Sequence, residues 1–420
     1  MIITKSSAHG SCYAPPSKSM SHRYLIAAAL SNQKSTVKNI AYSQDIKATL
    51  QCLSAMGIDF NVNKDSIDFS GNKKSIDANE IIFDCNESGS TLRFFIPIAL
   101  TLNKKAKFLG SETLIHRPMT VYEDICKQQN ISFGIEGNSI KTDGSLKADT
   151  FIIPGNISSQ FITGLLFALP LLDGDSILKI TNKFESRSYV EMTLMVLKEF
   201  GIAIKWLNKK TLFIKGNQKY NSTESTVEGD YSNSAFFEAF NTLDGNVKIE
   251  GLREDSLQGD KVYIDYYKSL CKKKAHLDIS NCPDLGPILF VVAALHQGGI
   301  FKGTKRLQIK ESNRGVVMQE ELAKFGVDMK VYNNKIIINK SEIHKPDIVL
   351  DGHNDHRIVM SLVTMLSQTG GRIEGIQAVR KSLPDYFIRI KKLGIQFEVE
   401  NEEESKLLEE QKWTWYLKEN

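Results

Sequence analysis

Five short segments set a cation beside small hydroxyl residues or glycine: Ser17-Lys18-Ser19 through His22-Arg23, Glu87-Ser88-Gly89-Ser90-Thr91-Leu92-Arg93, Lys310-Glu311-Ser312-Asn313-Arg314, Asp355-His356-Arg357 and Lys381-Ser382-Leu383-Pro384-Asp385. Guanidinium and ammonium groups beside hydroxyls suit phosphate and carboxylate. Two cations about 6 Å apart repel by about 3 kcal/mol at an effective dielectric of about 20. Their convergence therefore costs stability, and a bound anion would justify it.

Several of these segments fall where helices should begin. Ser17 or Ser19 precedes the run His22 to Leu30, Ser88 to Thr91 precede Leu92-Arg93-Phe94-Phe95, Ser158-Ser159-Gln160 precede Phe161 to Leu166, and Glu311-Ser312 precede a run that ends at Gly326. Helix N-termini offer free amides and the positive end of the dipole to anions. Capping alone explains any single serine; the anion reading rests on all four starts carrying Lys, Arg or Gln. The spacing of Lys310 and Arg314 predicts one shared helical face with Glu311 beside them. Asp284, ahead of an apolar helix, is an N-cap, a general base or both. There is no phosphate loop of the G-x-x-x-x-G-K-[ST] type, no strand-linked G-x-G-x-x-G, no nucleophile elbow and no metal-ligand spacing.

The elements that position these residues repeat. An amphipathic helix ends at a small residue and an alternating hairpin follows, clearest at Gly57, Gly201 and Gly326 and weaker at Asn130, His276 and Gly394. Glycine suits the left-handed position that closes a helix. The six anchors lie 73, 71, 75, 50 and 68 residues apart, which predicts six α/β units.

A chain of 420 residues exceeds what one core usually serves, so two domains are expected. Residues 16–228 are assigned to the first, residues 1–15 with 229–400 to the second, and 401–420 to a C-terminal extension whose Trp413-Thr414-Trp415-Tyr416 end is expected to pack on the body. With 41% apolar and 24% charged residues and a net charge of +4, the composition is that of an ordinary globular protein. It points to neither membrane nor nucleic acid, and the first residues do not read as a secretory or transit signal, so a cytoplasmic location is expected. Six scattered cysteines without a C-x-x-C pair read as reduced thiols.

Taken in order, these motifs, together with His116-Arg117-Pro118, Ser158-Ser159-Gln160-Phe161, Ser186 with Tyr189, Pro283-Asp284 and Pro384-Asp385-Tyr386-Phe387, resemble the EPSP synthases (3-phosphoshikimate 1-carboxyvinyltransferases) over residues 10 to 390. The resemblance implies an α/β enolpyruvyl transferase fold: six βαβαββ units, three per domain, around an interdomain cleft that closes on the substrates. It implies transfer of the enolpyruvyl group of phosphoenolpyruvate to the 5-hydroxyl of shikimate 3-phosphate, with release of phosphate, in aromatic amino acid biosynthesis. Shikimate 3-phosphate would be held by Lys18, Ser19, Arg23, Ser158, Ser159, Gln160, Ser186, Tyr189, Asp284 and Lys310. Phosphoenolpyruvate would be held by Lys18, Gly89, Arg93, Arg117, Gln160, Arg314, Arg357 and Lys381. Asp284 would deprotonate the 5-hydroxyl and Glu311 protonate the methylene carbon, with Lys18 and His356 assisting departure of phosphate. The neighbours Lys310 and Arg314 should lower the Glu311 pKa and burial in a closed cleft raise it, so protonation of Glu311 is expected mainly in the closed complex. No cofactor, metal, nucleic acid or membrane partner is implied, and the protein is expected to be a monomer.

The chain departs from the family pattern at Pro16, where glycine is usual, at Glu87-Ser88-Gly89-Ser90 and at Phe94, all bordering the expected phosphoenolpyruvate pocket. Arg306 stands where some members have asparagine. The alternatives are an enolpyruvyl transferase acting on UDP-N-acetylglucosamine and, in another class, a non-catalytic anion- or RNA-binding protein. Acids retained beside the cations, Asp284 and Glu311, argue against the latter.

Overall fold

The computed structural model describes residues 1–31, 33–74, 76 and 78–419, of which 412–419 by backbone alone. The expected packing of Trp413, Trp415 and Tyr416 therefore lies outside the described residues. The chain divides into two compact units: a central unit, Lys18–Val227, and a terminal unit, Met1–Ser17 with Glu228–Asn420.

One strand order recurs. In the central unit Glu80–Asp84 runs parallel to Lys105–Leu109, which pairs antiparallel with Ser139–Asp143, itself paired with Ser132–Glu136. The same order appears in Thr150–Pro154, Ser176–Thr181, Thr211–Ile214 and Ile204–Asn208. It appears again in Glu224–Thr226, Ser35–Lys38, Ser66–Lys73 and Ile58–Val62. The terminal unit repeats it in Ala275–Asp278, Gly299–Lys302, Lys335–Ile338 and Met329–Tyr332. Its second full sheet takes Ile2–Ile3 and Phe397–Glu398 from opposite ends of the chain beside Leu350–Asp351 and Gly371–Glu374. The sixth repeat is reduced to His9–Tyr13 paired in parallel with Asn246–Glu250.

Alternation explains the sheets: Ile81 and Phe83 point inward while Glu80, Ile82 and Asp84 do not, and Phe83 stacks on Phe108 at 4.9 Å. Helices buried on nearly all sides form the inside of each unit. Gly89–Ala99 and Ser159–Ala168 pack together in the central unit, and Gly286–Leu295 and His356–Thr369 in the terminal one. The helix-to-hairpin junctions follow the glycine rule: Gly57, Gly201 and Gly326 have φ of 74°, 78° and 84°. His276 does not. It lies in the parallel strand Ala275–Asp278, because the preceding helix Tyr263–Lys272 ends at Lys273 in extended conformation with no left-handed residue to start a hairpin. The short spacing of 50 residues reflects the missing hairpin: Asn246–Glu250 of that repeat pairs with His9–Tyr13 instead.

Gly164 lets two inner helices approach. A Cβ there would lie 2.4 Å from the Arg93 carbonyl oxygen and 2.5 Å from the Tyr122 hydroxyl, which itself donates to that carbonyl at 2.6 Å. Gly164→Ala is therefore expected to destabilise the protein by about 1–3 kcal/mol, measured by thermal or urea unfolding. An unchanged midpoint would refute this packing.

Candidate functional site

In the central unit the cations gather at helix starts. Ser88 caps the helix Gly89–Ala99 and Ser158 the helix Ser159–Ala168, each accepting a backbone N–H. A methyl on Gly89 would lie 3.0 Å from Arg117 Nη1, 3.2 Å from Arg93 Nη1 and 3.8 Å from Gln160 Oε1, so these three expected ligands meet over one glycine. Arg93 donates to Gln160 Oε1 at 2.8 Å, and Gln160 Nε2 to Ser90 Oγ at 2.9 Å. Lys18 opens the helix Lys18–Leu30 and pairs with Asp45 at 2.7 Å, a partner the sequence reading missed.

Arg23 is buried, and the groups it donates to are neutral: Thr193 Oγ1 at 2.9 Å, Ser19 O at 2.6 Å, Tyr189 O at 3.0 Å and Thr163 Oγ1 at 3.5 Å. Burial lowers its pKa to about 10, the signature of a cation stripped of water without a full counter-charge. Its guanidinium also faces the Tyr189 ring at 5.9 Å. Ser186, expected beside Tyr189, has φ of 51° and precedes the helix Arg187–Glu199. This left-handed serine is a strained feature next to an expected ligand site.

A buried hydroxyl chain braces these starts. His22 Nδ1 lies 2.8 Å from Thr49 Oγ1, Thr49 Oγ1 lies 2.8 Å from Thr91 Oγ1, and Thr91 donates to Ser88 Oγ at 2.7 Å. Burial, with Lys18 and Arg23 nearby, holds the His22 pKa well below its usual value. If each hydroxyl passes its proton toward Ser88, the Nδ1–H tautomer of His22 completes the chain. Thr49 did not stand out in the sequence, since a hydroxyl inside a helix is ordinarily neutral, and Thr91 was read only as part of a helix start.

In the terminal unit a single guanidinium organises the acids. Arg314 is 1% exposed and donates to Asp355 (Nε–Oδ2 2.8 Å, Nη2–Oδ1 3.2 Å), Asp284 Oδ1 (2.8 Å) and Glu311 Oε2 (2.6 Å). Burial alone would lower its pKa, but Asp355, Glu311 and Asp284 outweigh it and raise it. Asp284 also meets Lys310 at 3.0 Å and Arg357 at 3.5 Å. Burial would raise the Asp284 carboxyl, but Arg357, Lys310 and Arg314 hold it well below the usual carboxylate range. Burial lowers the Lys310 ammonium despite the pull of Asp284. His356 is buried at the start of its helix, and Lys381 donates to Asn354 O at 2.5 Å.

Three expectations are corrected. Lys310 and Arg314 do not share a helical face, because the helix Arg314–Ala323 begins only at Arg314 and Lys310 is extended; they meet on Asp284 instead. Asn313, not Glu311 or Ser312, caps that helix. Asp284 sits in the 3-10 turn Pro283–Leu285 and caps nothing, since the following helix has no side-chain cap. Four of the five Arg314 N–H groups point at carboxylates, which leaves one Nη1–H outside the cluster.

Residues 3–390 match the family model of EPSP synthase (3-phosphoshikimate 1-carboxyvinyltransferase). The chain belongs to the EPSP synthase family. It is 42% identical over 407 residues to the 3-phosphoshikimate 1-carboxyvinyltransferase of Clostridium acetobutylicum, covering 92% of this chain and 95% of that one. It is 40% identical to that of Clostridium novyi, covering 93% and 97%. The EPSP synthase structure from Acinetobacter baumannii has the same fold, with a TM-score of 0.77, 20% identity and coverage of 96% of this chain and 99% of that one. All six cysteines of this EPSP synthase family member are free. Among the described residues no group of three or more His, Cys, Asp or Glu side chains is placed to hold a metal, and no helix is long and apolar enough to cross a membrane.

One further carboxyl escaped the sequence reading. Asp260 is 3% exposed, and burial, then the charge of Asp284, push it up to about 6, against the pull of Arg357. A carboxyl raised on folding binds more protons in the folded protein than in the unfolded chain, so stability falls as pH rises from about 4 through about 6. Asp260→Asn is expected to raise the thermal midpoint at about pH 7.5 and to lose that advantage below about pH 4. A variant no more stable than wild type at the higher pH would contradict the shift.

Proposed function

We propose that the protein transfers the enolpyruvyl group of phosphoenolpyruvate to the 5-hydroxyl of shikimate 3-phosphate and releases phosphate, acting in the cytoplasm as a monomer with no nucleic-acid or membrane partner. The observation that carries this reading is the Arg314 cluster: two carboxylates suited to acid–base work, Asp284 and Glu311, held 2.8 and 2.6 Å from one buried guanidinium.

Asp284, kept ionised by three cations, takes the 5-hydroxyl proton while Glu311 delivers a proton to the methylene carbon of phosphoenolpyruvate. The oxygen bonds to C2, giving a tetrahedral adduct. Loss of a methyl proton back to Glu311 restores the double bond as the C2–O bond to phosphate breaks, and Lys18 and His356 meet the charge that develops on the leaving group. Lys18, Ser19, Arg23, Ser158, Ser159, Gln160, Ser186, Tyr189 and Lys310 hold shikimate 3-phosphate. Lys18, Gly89, Arg93, Arg117, Gln160, Arg357 and Lys381 hold phosphoenolpyruvate. Arg314 contributes chiefly by fixing Asp284 and Glu311, with its remaining N–H toward phosphoenolpyruvate.

The test is phosphate release from the two purified substrates without added metal or nucleotide. Turnover is expected with shikimate 3-phosphate and not with a UDP-amino sugar. Glu311→Gln, which keeps the hydrogen-bonding shape and cannot shuttle the proton, should lower kcat by about 10²- to 10⁴-fold. Near-normal turnover of that variant at saturating substrates would remove Glu311 from the chemistry.

A further inference from the structure

The C-terminal extension lies beyond residue 390, where the family match ends, yet it is tied to the segment that bears Lys381. Its helix, Glu402–Glu419, packs on both the short helix Tyr386–Lys392 and the turn Ile376–Lys381. Leu407 is 1% exposed within the terminal unit's core, and Gln411 is 1% exposed.

Gln411 stands in for a missing cap. Asp385 occupies the N-cap position of Tyr386–Lys392 but makes no capping bond there. Its carboxylate is engaged by Arg389 at 2.9 Å, and Arg389 also donates to Tyr13 O at 2.8 Å. The first-turn amides of a helix need acceptors when buried. Gln411 Oε1 supplies one, accepting from Phe387 N at 3.0 Å and Ile388 N at 3.3 Å. Next to it, Glu410 pairs with Arg380 at 2.8 Å, the residue preceding Lys381. The extension thus grips the chain on both sides of Ser382-Leu383-Pro384-Asp385, and proline stiffens the four residues between Lys381 and the capped helix.

We propose that the extension is a positioning brace for Lys381, with Gln411 as the positioning residue that sets where the Lys381 ammonium meets phosphoenolpyruvate. This rests on the assignment of Lys381 to phosphoenolpyruvate. Lys381 is buried and its ammonium already spans to Asn354 O at 2.5 Å, so a shift of its turn displaces a charge that has little freedom to readjust. Gln411 Nε2 finds no partner among the described residues, so the acceptor oxygen alone carries the contact. A glutamate of the same length would preserve it and would suit the positive helix end.

Steady-state kinetics on the full-length protein test the brace. Gln411→Leu, similar in volume and lacking the acceptor, should raise KM for phosphoenolpyruvate about fivefold or more, the scale of one lost hydrogen bond, with KM for shikimate 3-phosphate and kcat within about twofold of wild type. Gln411→Glu should return KM for phosphoenolpyruvate to the wild-type value. Should Gln411→Leu fail to fold, Gln411→Asn, one methylene too short to reach both amides, should show the same split. A lowered thermal midpoint with both KM values unchanged, or equal impairment in Gln411→Glu, would overturn the brace. Lys381→Met serves as the separate control. If it leaves KM for phosphoenolpyruvate unchanged, the assignment of Lys381 fails; if it raises that KM while Gln411→Leu does not, only the brace fails.

Discussion

The guanidinium of Arg314 is the constraint on which the terminal unit's chemistry depends. A buried arginine is costly unless its donors are met, and here Asp284, Glu311 and Asp355 meet four of them. The arrangement serves both sides. Three carboxylates in one place would repel one another and drift toward protonation, and the central cation keeps them together. Asp355 Oδ1 accepts the Arg357 amide at the start of the helix His356–Thr369 and also Arg314 Nη2, so the ion cluster and that helix are tied by one oxygen atom. Removing Arg314 would strip the fully buried Asp355 carboxylate of the guanidinium that pairs with both its oxygens, a larger loss than any single contact.

The two units handle their helix starts differently. In the central unit the caps of two inner helices are the neutral Ser88 and Ser158, which place no fixed carboxylate against the dipole field. In the terminal unit aspartates precede three of the helices, Asp230, Asp355 and Asp385, and the cations there are matched by acids: Lys310 and Arg357 by Asp284, Arg389 by Asp385. A positive field suits fixed anionic groups of a substrate, and an acid-rich cluster held by cations suits proton transfer. The family's reaction requires both.

Much of this was legible in the sequence because it depends on local rules. Gly57, Gly201 and Gly326 marked helix ends through their φ, and Ser88 and Ser158 marked helix starts through their hydroxyls. His276 misled because a helix followed by a strand looks the same whether a hairpin or a parallel crossover comes next; only pairing distinguishes them. The contacts of Arg314 with Asp284 and Asp355 span 30 and 41 residues, and no spacing rule reports contacts of that range. Asp45 and Asp260 escaped for the same reason: an acid near a helix start reads as capping until its distant cation or acid is seen.

The most direct test of the anion-binding claim is the thermal midpoint of the full-length protein with shikimate 3-phosphate against an equal concentration of shikimate, in the wild type and in Arg23→Met. Binding to the folded state raises the midpoint in proportion to RT ln(1 + [L]/Kd). The expected result is a clear rise with shikimate 3-phosphate, little with shikimate, and loss of most of that difference in Arg23→Met. Equal responses to the two compounds, or a response untouched by Arg23→Met, would contradict the claim that these buried cations exist to hold the substrate's anionic groups.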